Sequence, residues 1–105
     1  MKDDAVYLAH IRDAIGKIES FTADMDAVQF SEDQKTQSAV LMQLAVIGEM
    51  VKRISPATKA TIDAPWKEIA GFRDRAIHDY FDVDLDIVWQ TVASDVPDLK
   101  KRLKR

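Results

Sequence analysis

The chain has no cysteine. That absence excludes disulfides, thiolate metal sites and cysteine nucleophiles together, and it fits an expectation of a reducing, cytoplasmic setting. Nor is there an apolar run near the roughly 20 residues that cross a bilayer. The opening Met1-Lys2-Asp3-Asp4 is acidic where a signal peptide is basic and then apolar, so no membrane targeting is expected. A surplus of positive charge is missing too. The net charge of −3 speaks against binding nucleic acid by overall attraction and confines any phosphate contact to a local patch. Glycine and proline are scarce, three of each in 105 residues, and the apolar spacing between them is helical almost throughout.

What is present fits one folded domain over residues 1–105. Hydrophobic residues make up 47% and charged residues 31%, which argues against disorder, and a chain of this length buries roughly two thirds of its unfolded surface without staples. The expected architecture is an all-α bundle of four to five helices. Leu8, Ile11, Ile15 and Ile18 recur at intervals of three and four, predicting a first helix from about Asp3 to Ser20. Phe21 to Phe30 lacks a period and reads as a loop with both phenylalanines against the core. Ser31-Glu32-Asp33-Gln34 has the form of a capping box.

From Ala39 to Val51 nearly every residue is apolar, leaving only Gln43, Gly48 and Glu49. Val40, Leu44, Ile47, Val51 and Ile54 suffice for one buried face, yet Leu41, Val46 and Met50 cover much of the rest. The excess predicts a second copy of the chain against this helix, a homodimer, with a central helix wrapped by its own chain as the alternative. Ser55-Pro56 ends the helix, and a polar connector runs to Asp63. A third helix begins at Pro65-Trp66, with Trp66, Ile69, Ala76 and Ile77 inward, and loses regularity around Asp79 to Val83. Asp84 is the N-cap of a fourth, carrying Leu85, Val88, Trp89 and Val92; Asp95-Val96-Pro97 kinks or restarts it before Leu99 and Leu103.

Chemistry concentrates in Arg73-Asp74-Arg75-Ala76-Ile77-His78-Asp79-Tyr80. His78 is a general acid–base candidate for taking the proton of a ribose 2′-hydroxyl or protonating the leaving oxygen. Arg73 offers a permanently charged donor fork to the phosphate, where charge grows in the transition state. Such a pair needs no metal or cofactor and yields a cyclic 2′,3′-phosphate and a free 5′-hydroxyl. Five steps on a helix rotate by about 140°, so Arg73 and His78 share a pocket only if the helix ends near His78 or a second subunit supplies one of them. Arg75 is a candidate RNA contact or a surface ion pair with Asp74, Asp79 or another acid. Asp74 orients the imidazole if both residues stay helical, or is solvated surface. His10 reads as a cap or a partly buried group, Trp66 and Trp89 as core, and the alternating Asp82, Asp84 and Asp86 lack the glycine and distal glutamate of a calcium loop. The basic run from Lys100 to Arg105 suits a helix C-terminus.

Arg73, His78 and Tyr80 form R-x4-H-x-Y, which resembles the signature of the HepT-like group of HEPN-domain ribonucleases, toxin-side partners of minimal nucleotidyltransferases. Asp3-Asp4-Ala5-Val6-Tyr7-Leu8, Ile47-Gly48-Glu49, Pro65 to Gly71, Tyr80 to Leu85 and Val88-Trp89 also look like that group, so the resemblance spans nearly the whole chain. It implies an all-α HEPN-like dimer with Arg73 and His78 of two subunits in one cleft, cleaving RNA without metal as the toxin of a type VII toxin–antitoxin pair. It also implies a cognate nucleotidyltransferase antitoxin that attaches AMP to Tyr80. Asp74 departs from the asparagine common at that position, and an acid there is expected either to weaken RNA binding or to raise the histidine pKa. Two other classes fit the same residues: a non-catalytic module presenting nucleotide or substrate to a nucleotidyltransferase, and a purely structural helical dimer.

Overall fold

Two helices of equal length, α1 (Lys2–Phe21) and α3 (Gln34–Arg53), run antiparallel and form the frame of the molecule. The computed structural model describes residues 2–79 and 82–104, with Lys2, His78 and Asp79 described by their backbone alone. Ile11, Ile15 and Ile18 of α1 meet Val40, Leu44, Ile47 and Val51 of α3, all at most 2% exposed. Complete burial of one such aliphatic side chain contributes about 1.5–3 kcal/mol, so this seam outweighs any polar contact in the fold. No described helix is long and apolar enough to cross a membrane.

The two ends of α3 are tied differently. At its start, Asp33 is the N-cap, accepting from the Thr36 amide at 3.0 Å and its hydroxyl at 2.8 Å, and these bonds hold the carboxyl below its ordinary pKa. Past its end, Asp4 of α1 is buried and accepts from the Ser55 amide at 3.1 Å and from the Ser55 and Thr58 hydroxyls at 2.5 Å. The Ser55 hydroxyl bond is the main reason the Asp4 carboxyl is also pulled below its ordinary value. Ser55 in turn caps α4 (Pro56–Thr61), a helix the sequence reading took for connector.

The expected loop before α3 is also partly helical. α2 (Ala27–Ser31) opens with a capping box in which the Gln29 amide donates to Asp26 at 2.8 Å and the Asp26 amide donates to the Gln29 side chain at 2.9 Å. The expected box at Ser31 does not form: Ser31 ends α2 and its hydroxyl donates to Val28 O, because the aspartates at 26 and 33 each sit one step before a helix. Phe30 is buried and tilts against Trp89 at 5.3 Å, whereas Phe21, expected inside, is 38% exposed at the end of α1. His10 is exposed rather than partly buried.

The rest of the chain is built from short pieces. α5 (Trp66–Ala70) and α6 (Phe72–Ala76) are separated by Gly71, followed by a two-stranded antiparallel hairpin of β1 (Ile77–Asp79) and β2 (Asp82–Val83). Asp84 caps α7 (Leu85–Gln90) as expected, accepting from the Asp86 and Ile87 amides at 3.1 and 3.2 Å. A π-helical turn, Thr91–Asp95, leads into α8 (Val96–Arg102). Pro97 has no N–H to offer the carbonyl four residues back, and the helix widens ahead of it. Through that change Val88, Val92, Val96, Leu99 and Leu103 remain buried as one continuous stripe. Lys100 pairs with Glu19 at 2.9 Å and Arg102 with Asp98 at 2.7 Å, which accounts for much of the terminal basic run. The all-α expectation holds, with the small hairpin as its exception.

Candidate active site

Trp66 anchors the segment that carries the sequence motif. Its indole N–H points at Lys59 O and Ile62 O, both at 3.2 Å, and so fixes the entry of α5 against the end of α4. Gly71 then serves α5 as its last cap and α6 as its first, a step in the chain that the sequence reading had drawn as one continuous helix. On α6 the four-residue spacing puts Phe72 and Ala76 inward, at 3% and 0% exposure, which turns Arg73, Asp74 and Arg75 outward.

The helix stops at Ala76. Ile77 is extended at φ −103°, ψ 110°, and the Asp84 amide closes the base of the hairpin by donating to Ala76 O at 2.7 Å. His78 therefore lies on strand backbone, two residues beyond the helix that bears Arg73. One of the two conditions for a shared pocket, a helix end close to His78, is present in the backbone. The imidazole itself, the Asp79 side chain and Tyr80, the expected modification site, lie outside the described residues, as does Phe81.

The three charged residues on α6 divide sharply. Arg73 is half exposed, and its Nη1 lies 3.6 Å from Asp74 Oδ1, too long for a hydrogen bond. The helical spacing that would let Asp74 orient His78 is absent, because α6 ends at Ala76. Arg75 does the opposite of Arg73. Its Nη2 donates to Thr91 Oγ1 and to Asp95 Oδ2, both at 2.7 Å, with the guanidinium carbon 6.0 Å from the centre of the Phe72 ring. This is the ion-pair alternative, with an acid from the π-helical turn rather than a neighbour in sequence. Thr91, fully buried, accepts from Arg75 and donates to Ile87 O at 2.9 Å, so the buried hydroxyl is satisfied in both senses.

Three residues near the site were not singled out as functional by sequence. Thr91 and Asp95 carried no signal in sequence, since their partner is a residue 16 and 20 positions away. Gly48 had one, as the lone glycine of an apolar helix. A Cβ there would stand 2.8 Å from Ala70 O, so glycine is what lets α3 approach the end of α5 immediately before Arg73. The result is a polar groove between α3 and α6 with Arg73 on its rim.

The chain is similar to known ribonucleases over nearly its whole length. The model of the "Ribonuclease HepT-like" family matches residues 11–105. A "Probable ribonuclease HepT" of Thermococcus cleftensis is 42% identical over 100 residues, covering 94% of this chain and 91% of that protein. From Methanocaldococcus jannaschii, a "Putative RNase" is 37% identical over 105 residues, covering 99% and 90%. A longer protein of the same organism, named for a gamma-glutamylcyclotransferase and an RNase together, is 37% identical over 103 residues, 97% of this chain and 46% of its own length. No solved structure matches. With the family model spanning nearly the whole chain and relatives well above 30% identity at near-complete coverage, this chain belongs to the HepT-like ribonuclease family.

Proposed function

We propose that the chain is a metal-independent endoribonuclease in which His78 and Arg73 act together on one phosphodiester. The observation that carries this reading is the exposed Arg73 guanidinium on the rim of an open polar groove, in a chain of a ribonuclease family, on a short helix that ends two residues before His78. His78 takes the proton from the 2′-hydroxyl, the oxygen attacks phosphorus, and the 5′-oxygen leaves with a proton returned to it. Arg73 holds the non-bridging oxygens while their charge grows. Arg75, engaged with Asp95, holds the α6 backbone in place and contributes at most a long-range field to the RNA.

The active unit in this reading is a homodimer. Its support is the outer face of α3, where Met42, 62% exposed, stands in line with half-buried Val46 and Met50 at four-residue spacing, opposite the core stripe. The protein is the toxin of a type VII pair, and the cognate nucleotidyltransferase silences it by attaching AMP to Tyr80. An adenylyl group two residues from His78 adds bulk and negative charge that compete with RNA for the cations of the site. Mass spectrometry of protein co-produced with that partner reads the modification directly.

The test of catalysis is His78→Ala in partner-free protein. Loss of a general acid–base group lowers the rate by about 10²–10⁴, with circular dichroism and oligomeric state unchanged. Persistent cleavage by the alanine variant, or no cleavage by the parent protein, rejects the reading.

A further inference from the structure

The groove beside Arg73 has a second cation on its other wall. Lys52 projects from the last turn of α3 and Arg73 from α6, with Gly48 and Ala70 between them and Glu49 and Asp74 alongside, enclosing about 180 Å³. The floor exists because Gly48 has no side chain to hold α3 away from Ala70. On a helical wheel Ala45, Gly48 and Lys52 fall between the buried stripe of α3 and its outer Met42–Val46–Met50 line, about 70° from Leu44 on average. The groove thus borders the apolar face without belonging to it.

Ion pairing separates these two cations from several others in the fold. Arg75, Lys100 and Arg102 hold carboxylates at 2.7, 2.9 and 2.7 Å. In the groove, Lys52 Nζ is 3.7 Å from Glu49 Oε1 and Arg73 Nη1 is 3.6 Å from Asp74 Oδ1, both outside hydrogen-bond distance, with all four side chains more than half exposed. Exposed pairs of that kind contribute little, so an incoming phosphate displaces them at little cost. With one acid for each cation the groove has no net charge, and its attraction for RNA is local and depends on a phosphate reaching each cation.

We infer that this groove is a subsite for single-stranded RNA, in which Lys52 grips the phosphate next to the one that Arg73 holds at the scissile bond. The inference rests on the reading of Arg73 as part of an RNA-cleaving site. It assigns to Lys52 the role of second phosphate contact that sequence alone had offered to Arg75.

Steady-state cleavage by parent, Lys52→Gln, Lys52→Arg and Glu49→Gln proteins tests it, with a single-stranded oligoribonucleotide and a dinucleotide that has only the scissile phosphate. Lys52→Gln raises KM for the oligonucleotide several-fold with little effect on kcat. It also flattens the dependence of log KM on log salt by about 0.7, the value for one phosphate contact on a single strand. Lys52→Arg restores binding, Glu49→Gln tightens it, and for the dinucleotide Lys52→Gln and parent coincide. Equal KM and salt slope for parent and Lys52→Gln on the oligonucleotide overturns the subsite while leaving cleavage intact. An equal loss on both substrates overturns it too, by placing Lys52 at the scissile phosphate. A parent protein that cuts neither substrate rejects the ribonuclease reading instead. Fluorescence anisotropy with a 2′-O-methyl oligonucleotide then decides the groove separately: weaker binding by Lys52→Gln supports it and equal binding overturns it.

Discussion

The α1–α3 frame and the segment from Trp66 to Asp95 are held together by different forces. The frame is two uninterrupted helices whose shared face is aliphatic and sealed. No described element of the Trp66–Asp95 segment is longer than six residues, and polar groups fasten its joints: the Trp66 indole, the Arg75 fork on Thr91 and Asp95, the Asp84 amide on Ala76 O. Dispersed apolar burial makes the frame tolerant of exact geometry and strongly stabilising. Directional hydrogen bonds make the other segment specific in placement but individually weak.

Substitutions that strike one region and spare the other break this comparison most directly. Leu44→Ala, in the frame, is expected to cost about 2–5 kcal/mol of unfolding free energy, because it removes most of a completely buried side chain and leaves a cavity in the seam. Arg73→Ala, on the exposed side of α6, leaves the denaturation midpoint near that of the parent while removing activity. Chemical denaturation and RNA cleavage measured on both variants check the split, and equal loss of stability in the two would erase it.

A smaller effect tests the contact between the regions. Gly48→Ala places a methyl 2.8 Å from the Ala70 carbonyl, a backbone atom that cannot turn aside, so α3 and α5 must separate. Overpacking of this kind costs about 1–3 kcal/mol. Because Ala70 lies just before Arg73, the variant loses more RNA affinity than its stability alone accounts for. A Gly48→Ala protein as stable as the parent in a melt would remove the close approach from the account.

The smallest effect sharpens the comparison at a polar joint of the frame itself. The Asp4 carboxyl has its pKa lowered by the Ser55 and Thr58 hydroxyls, so its contribution to stability is complete above the ordinary value of 3.8 and is lost as pH falls through the lowered folded value. The difference in thermal midpoint between parent and Asp4→Asn is therefore greatest near neutrality and shrinks below pH 3.8. A difference that is constant across that range contradicts the hydrogen-bonded carboxylate.

The frame was legible in the sequence because its signal is periodic and local. Val40, Leu44, Ile47, Val51 and Ile54 were named as one face and are one face, and Asp84 was named as a cap and is one. The misreadings fall where two short signals compete within a few residues. Asp26 and Asp33 took the capping roles from Ser31, Gly71 broke a helix that the apolar spacing carried through, and Pro56 opened a helix as well as ending one. In a helix of five or six residues one capping bond outweighs the whole of the periodicity, since there is scarcely a full turn for a period to act through.

By itself the sequence determined the all-α class and the buried stripe of α3, because residue type and spacing along one chain suffice for each. Only the tertiary structure decided which of the neighbouring arginines is engaged and which is displayed. Arg75 meets Asp95 across the π-helical turn while Arg73 faces Lys52 across a groove, and both pairings join residues some 20 positions apart whose meeting depends on how separate helices pack.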